Sequence, residues 1–264
     1  MAIGGVVGLI VVIAALVIAK LVQGNSSPAP AVQSGLAPAA VLNDIATIPT
    51  AAFDQVGYVS PNNGVAPPSK LGGTPVQVGG KPLVAYVGAD YCPYCATERW
   101  PLVAALERFG SFSKIGATHS ATNDAFPNTA TFSFHPSAYS SPYITLTTTE
   151  LYGNRPVNGS YPPLEAPSQI ERTLLGKFDP KGTIPFIYLG RYGINGATWN
   201  AQLLAGQTMA QIARSARDPS TEIGHSVIGA ANLISAAICD QTGGKPASVC
   251  SSSGVTAAAK HLPQ

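Results

Sequence analysis

A chain of 264 residues is long enough to bury one sizeable core, with or without appendages. Only 11% of its residues are charged, against ~25% in an average soluble domain, and 27 Gly with 23 Pro imply many turns and long loops. The net charge is +2, with no basic block or acidic tail, which argues against a nucleic-acid partner.

Residues 3–19 carry no charge, and if Lys20 snorkels the apolar segment extends over residues 3–22. At ~1.5 Å per residue such a helix spans about 30 Å, enough to cross a bilayer. Residues 1–23 are read as an uncleaved membrane anchor. The alternative is a cleaved secretory signal, for which the apolar region is long and no small-x-small site follows. Lys20 on the far flank does not by itself orient such an anchor. Residues 24–38, rich in Ser, Pro and Ala, read as a linker. Short helices are predicted over Ala39–Thr47 and, after Pro49, over Ala51–Val56 up to Gly57. Residues 58–75 read as loop.

Two strands, Pro75–Val78 and Leu83–Val87, flank a Gly79-Gly80 turn, and the continuous apolar run of the second predicts a strand buried on both faces. Cys92-Pro93-Tyr94-Cys95 follows directly. A helix is predicted over Ala96–Phe109, with Pro101 inside it and Gly110 as its stop. Strand-like pieces come next at Ala130–Phe134 and Tyr143–Thr148. Residues 153–166 read as loop. Ser168 with Glu171 forms a capping-box pattern at the head of a helix over Gln169–Phe178. A strand over 182–189 begins with Thr183-Ile184-Pro185, and residues 207–216 and 221–239 read as helices, the second apolar enough to be buried. The order is that of an α/β domain with a central mixed sheet.

Two thiols separated by two residues, leaving a strand and starting a helix, place the first sulfur at a helix N-terminus, where partial positive charge favours the thiolate. The thiolate is the nucleophile of disulfide exchange. Cys92 then forms a mixed disulfide with a substrate cysteine, and Cys95, one turn in, resolves it. The alternatives are half of a metal site, with copper as the soft-metal candidate, or an inert disulfide. No HxxH or HxxxH spacing links His119, His135, His225 and His261. Cys239 and Cys250 close a loop turned by Gly243-Gly244 and Pro246 and are read as a structural disulfide, or else as a second, shuttling pair. Four pairable cysteines favour an oxidising, extracytoplasmic compartment. Glu98 and Arg99 are read as a solvated helix face, His119 and His135 as surface or hydrogen-bonded residues, and Tyr139–Tyr143 as packing or turn.

These residues resemble the thioredoxin-fold superfamily: CPYC after a buried strand, a proline-bearing helix behind it, and Thr183-Ile184-Pro185 before a later strand. A longer resemblance, over about residues 40–250, is to a family of membrane-anchored, thioredoxin-like prokaryotic proteins described as a domain of unknown function. It rests on CPYCATERWP, SSPYITL, GTIPFIYLG and AAICDQTGGKPASVC. The resemblance implies a thioredoxin-like domain over 39–252, with an insertion over 111–165 between the CxxC helix and the proline-led strand, and a flexible tail over 253–264. It implies a cis Pro185 facing Cys92, with Pro93, Tyr94, Thr183 and Ile184 in support. It implies an anchored, single-pass thiol–disulfide oxidoreductase that forms or isomerises disulfides in client proteins and needs no cofactor or metal. A quinone-linked membrane reductase, such as a vitamin K epoxide reductase homologue, is the implied redox partner. The competing functions are a copper-delivery module and a non-catalytic interaction domain. One departure stands out: thioredoxins carry a buried carboxylate six residues before the first cysteine, and here that residue is Tyr86.

Overall fold

In the computed structural model, which describes residues 35–264, strand β4 (Lys81–Gly88) runs through the middle of the main sheet. Its apolar run makes this possible. Val84 and Tyr86 face one core, shared with Trp100, Leu102 and Ile234. Leu83 and Ala85 face a second, smaller core with Leu174, Phe186 and Tyr188. Period-two alternation thus sends successive side chains to opposite layers, both of them dry. On its flanks β4 pairs parallel with β7 (Thr145–Glu150) and antiparallel with β8 (Phe186–Leu189). β9 (Tyr192–Asn195) follows β8 antiparallel, and the short β2 (Ser69–Lys70) and β3 (Gln77–Val78) complete six strands.

Two short helices open the domain, α1 (Ala39–Ala46) and α2 (Thr50–Val56), close to their predicted spans. Helix α3 (Pro93–Leu106) starts at the CPYC, and α4 (Gln169–Phe178) carries the expected capping box of Ser168 and Glu171. After β9 come α5 (Met209–Ala216), α6 (Glu222–Gln241), α7 (Ala247–Cys250) and α8 (Ser253–Ala259). Helix α6 is long and apolar enough to cross a membrane, yet it is enclosed by the domain and packs on α3, α5 and α8. A helix that is apolar all round is a core helix when other elements surround it. The expected anchor over 1–23 lies outside the described residues.

Several expectations are corrected. The end of the expected linker, residues 24–38, is ordered structure: β1 (Gly35–Leu36) pairs with β5 (Ser111–His119). The stretch 111–165 is not a single insertion. Strands β5 and β6 (Ala130–Ser140) form a separate sheet with β1, whereas β7 belongs to the main sheet. β5 escapes sequence reading because its apolar residues Phe112 and Ile115 are interrupted by Lys114 and by register shifts on either side of it, which erase the period of two. Residues 253–264 are not a flexible tail: Val255, Ala258 and Leu262 are buried, and α8 packs on α2 and α6. Burial of three apolar side chains holds this segment down.

Candidate redox site

Strand β4 delivers the chain to the end of the sheet at Gly88, where Leu151 N–H donates to the Gly88 carbonyl and Asp90 N–H to that of Tyr152. The next residues turn into α3, with Cys92 as N-cap and Pro93 at the first helical position, where its missing N–H costs nothing. The Cys95 N–H donates to Cys92 Sγ at 3.2 Å. The Cys92 thiol lies 3.8 Å from the Ile184 carbonyl oxygen. Both cysteines are free thiols. Cys95 is wholly enclosed and Cys92 is 4% exposed, so only the first presents surface to solvent.

The two thiols are pushed apart in acidity. Hydrogen bonding from Cys95 lowers the Cys92 value, against burial, with further help from backbone N–H groups and the Arg99 charge. Burial foremost, and the neighbouring Cys92, push Cys95 well up. An acidic nucleophile beside a reluctant partner is the asymmetry that a two-step exchange uses.

The Ile184–Pro185 peptide is cis, as the resemblance implied, and the Pro185 carbonyl accepts from Gly196 N–H. Ile184 packs on the cluster formed by Ala89, Cys92 and Cys95. Beside it a groove of about 450 Å³ is lined by Tyr94, Phe126, Thr183, Ile184, Asn195 and Trp199. Tyr94 is 43% exposed and meets Phe126 edge-on, with ring centroids 5.9 Å apart. Phe126 lies in the β5–β6 loop, so the separate sheet contributes to this rim. The same loop is tied to the motif by Ala121 N–H donating to the Tyr91 carbonyl.

Glu98 and Arg99 are not a solvated face. Both are wholly buried. Arg99 Nε and Nη2 donate to Glu150 at 2.9 and 2.6 Å, and Nη2 also donates to the Ala89 carbonyl at 2.9 Å. Asp90 Oδ1 stands 3.8 Å from the same Nη2. Glu98 accepts from the Thr198 N–H and hydroxyl. Burial raises Glu98 and Glu150 each to about 7, against the hydrogen bonds of Thr198 in the first case and the charge of Arg99 in the second. Glu150 and Thr198 were not singled out from the sequence. One signal was available: every other residue from Cys95 to Leu106 is small or apolar except Thr97, so this helix offers no polar face on which charges could be solvated.

The remaining expected residues sort clearly. Pro93 is buried, and Thr183 and Ile184 border the groove. The sulfurs of Cys239 and Cys250 are 1.98 Å apart, at disulfide distance, joining α6 to α7. His119 Nδ1 meets the Ser120 carbonyl at 2.8 Å, and His135 Nδ1 meets Glu165 at 2.8 Å. Among the described residues no group of three His, Cys, Asp or Glu could hold a metal ion. Tyr139 is a packing residue whose hydroxyl donates to the Leu106 carbonyl.

A family model described as a domain of unknown function (DUF929) matches residues 67–165. That stretch contains the CPYC, Arg99 and Glu150, and ends before Pro185 and the Cys239–Cys250 pair. No curated protein and no solved structure matches the chain significantly.

Proposed function

We propose that this protein is a thiol–disulfide oxidoreductase with a thioredoxin-like arrangement, acting on cysteine-containing client proteins outside the cytoplasm. The observation that carries the reading is the Cys92–Cys95 pair itself: a hydrogen-bonded thiol at a helix N-cap, a fully enclosed partner within the first turn, and a cis-proline loop against both. Strand order supports the fold half of the reading. In the path β7-β4-β8-β9, β4 is parallel to β7 and the other pairs are antiparallel, with the CPYC helix following the central strand and the cis-proline preceding its antiparallel neighbour.

In the oxidising direction a client thiolate attacks Cys92 Sγ of the Cys92–Cys95 disulfide. That bond breaks and its electron pair stays on Cys95, which takes a proton. A second client thiolate then attacks the client sulfur of the mixed disulfide and displaces Cys92 as a thiolate. The client has lost two electrons and the pair has gained them. Stabilising the Cys92 thiolate stabilises the reduced protein and so favours this direction, or isomerisation. Residues 3–22 would hold the domain at the membrane, where a quinone-linked reductase such as a vitamin K epoxide reductase homologue would reoxidise the pair.

Trapping tests the proposal. A Cys95→Ala variant cannot resolve, so Cys92 accumulates mixed disulfides with clients, seen on a non-reducing gel and lost on reduction. No adducts, combined with a very low reduction potential for the Cys92–Cys95 couple, would leave a static disulfide and sink the reading.

A further inference from the structure

Cys95 gains a proton each time it is displaced and gives one up each time it attacks. No carboxylate stands at residue 86 to serve it, because that residue is Tyr86. A carboxylate whose charge acts on Cys95 is delivered instead from a different strand. Glu150 ends β7, in register with Gly88 at the end of β4, so the sheet itself carries it to the level of the CPYC turn. Arg99, one helical turn beyond Cys95, fixes both of its oxygens with two hydrogen bonds, and neither side chain has any solvent exposure.

On the oxidoreductase reading, we infer that Glu150 is the internal acid coupled to Cys95, and that Arg99 is the residue that positions it. When Cys95 gives up its proton, Glu150 takes it up. Cys95 thiol with Glu150 carboxylate becomes Cys95 thiolate with Glu150 carboxyl, and the charge of the pocket is unchanged. Charge conservation is what makes the exchange feasible in a dry site, since an extra buried charge without a partner is costly. With Glu150 ionised, Arg99 is neutralised and the Cys95 thiol keeps its proton. With Glu150 protonated, the Arg99 charge is left to face the Cys95 thiolate.

The groups facing this pair come from every neighbouring element. β4 supplies Tyr86, whose ring stands 5.7 Å from the Arg99 guanidinium and whose buried hydroxyl has no hydrogen-bond partner among the described residues. The turn before α3 supplies Asp90, and α3 supplies Cys92 and Arg99. From β6 the Phe134 N–H donates to Glu150 Oε1 at 3.2 Å, with His135 next in the chain. Glu165 accepts from the Glu150 N–H at 2.8 Å and pairs with His135. Arg99 Nη1 and Asp90 Oδ1 are likewise without hydrogen-bond partners among the described residues. Arg99 is thus the cation shared by both carboxylates. Burial and the Arg99 charge oppose one another at Glu150 and leave it near neutrality, at about 7, where it can both hold and release a proton.

The test needs no client. In a Cys92→Ser protein with the Cys239–Cys250 bridge intact, Cys95 is the one free thiol of the chain, and its thiolate is titrated by ultraviolet absorbance. Adding Glu150→Gln removes the facing negative charge and lowers the Cys95 midpoint by about one pH unit or more; an unmoved midpoint overturns the inference. Should that variant not fold, the wild-type protein decides. An infrared difference spectrum between reduced and oxidised forms near neutral pH shows a protonated-carboxyl band that persists in Glu98→Gln and Asp90→Asn. No band, or its loss in either control, overturns the assignment. Clients captured by Cys95→Ala with neither signal present would defeat only this inference. Both signals present with no captured clients would defeat only the oxidoreductase reading.

Discussion

Arg99 and Glu150, 51 residues apart in the chain, meet in a two-pronged ion pair of 2.9 and 2.6 Å with no solvent exposure on either side chain. Removing one member strands a buried charge, which costs about 3–5 kcal/mol, whereas replacing both by apolar groups of similar volume avoids that penalty. Arg99→Met and Glu150→Leu are therefore each strongly destabilising, and the double variant is more stable than either alone. Denaturant titration of the four proteins completes the cycle. Equal losses that simply add would show that the pair contributes no coupling.

Glu98 makes stability depend on pH. Its folded value, about 7, lies above the ordinary 4.5, with burial as the first cause. The fold therefore binds a proton that the unfolded chain has released, and stability falls as pH rises between those values. The contribution is complete below the unfolded value and lost through the folded one, a change on the order of 3 kcal/mol. Unfolding measured at about pH 4 and about pH 8 should show a shallower decline in Glu98→Gln than in wild type. An unchanged slope would remove Glu98 as its source.

Reactivity should separate the two thiols of the CPYC. Cys92 is the more acidic, through its hydrogen bond from Cys95, and is the one with some exposure, while burial holds Cys95 protonated. In the reduced protein near neutral pH, a small alkylating reagent modifies Cys92 at least about tenfold faster than Cys95, since rate follows thiolate fraction and access. Peptide mapping after a short pulse reads the ratio. Preferential labelling of Cys95 would reverse the roles of nucleophile and resolver.

The Cys239–Cys250 bridge closes a short loop between α6 and α7, next to the buried face of α8. In the chain-entropy model a loop of this size is worth about 3 kcal/mol. A Cys239→Ala, Cys250→Ala protein should lose about that much stability while keeping the alkylation pattern at Cys92. A changed Cys92 rate would instead mark Cys239 and Cys250 as a shuttling pair in communication with the CPYC.

What this chain declares on its own is whatever depends on neighbours in sequence. The apolar run of β4, the placement of Cys92 at the start of a helix, the capping box of α4 and the loop closed by Cys239 and Cys250 are all local patterns, and each is legible as such. The cis state of Pro185 followed from resemblance alone. Tertiary structure decided the rest because the contacts concerned are long-range. β5 shows no alternation until β6 bridges its irregular register, and the last twelve residues look like a tail until α2 and α6 cover them. Above all, Glu98 and Arg99 read as an ordinary polar pair on a helix. Only when β7 brings Glu150 beside Gly88, and the β9–α5 connection brings Thr198 over Glu98, do their charges acquire partners that let them exist without water. Burial with compensation is a property of the assembled fold, and no single segment contains both halves of it.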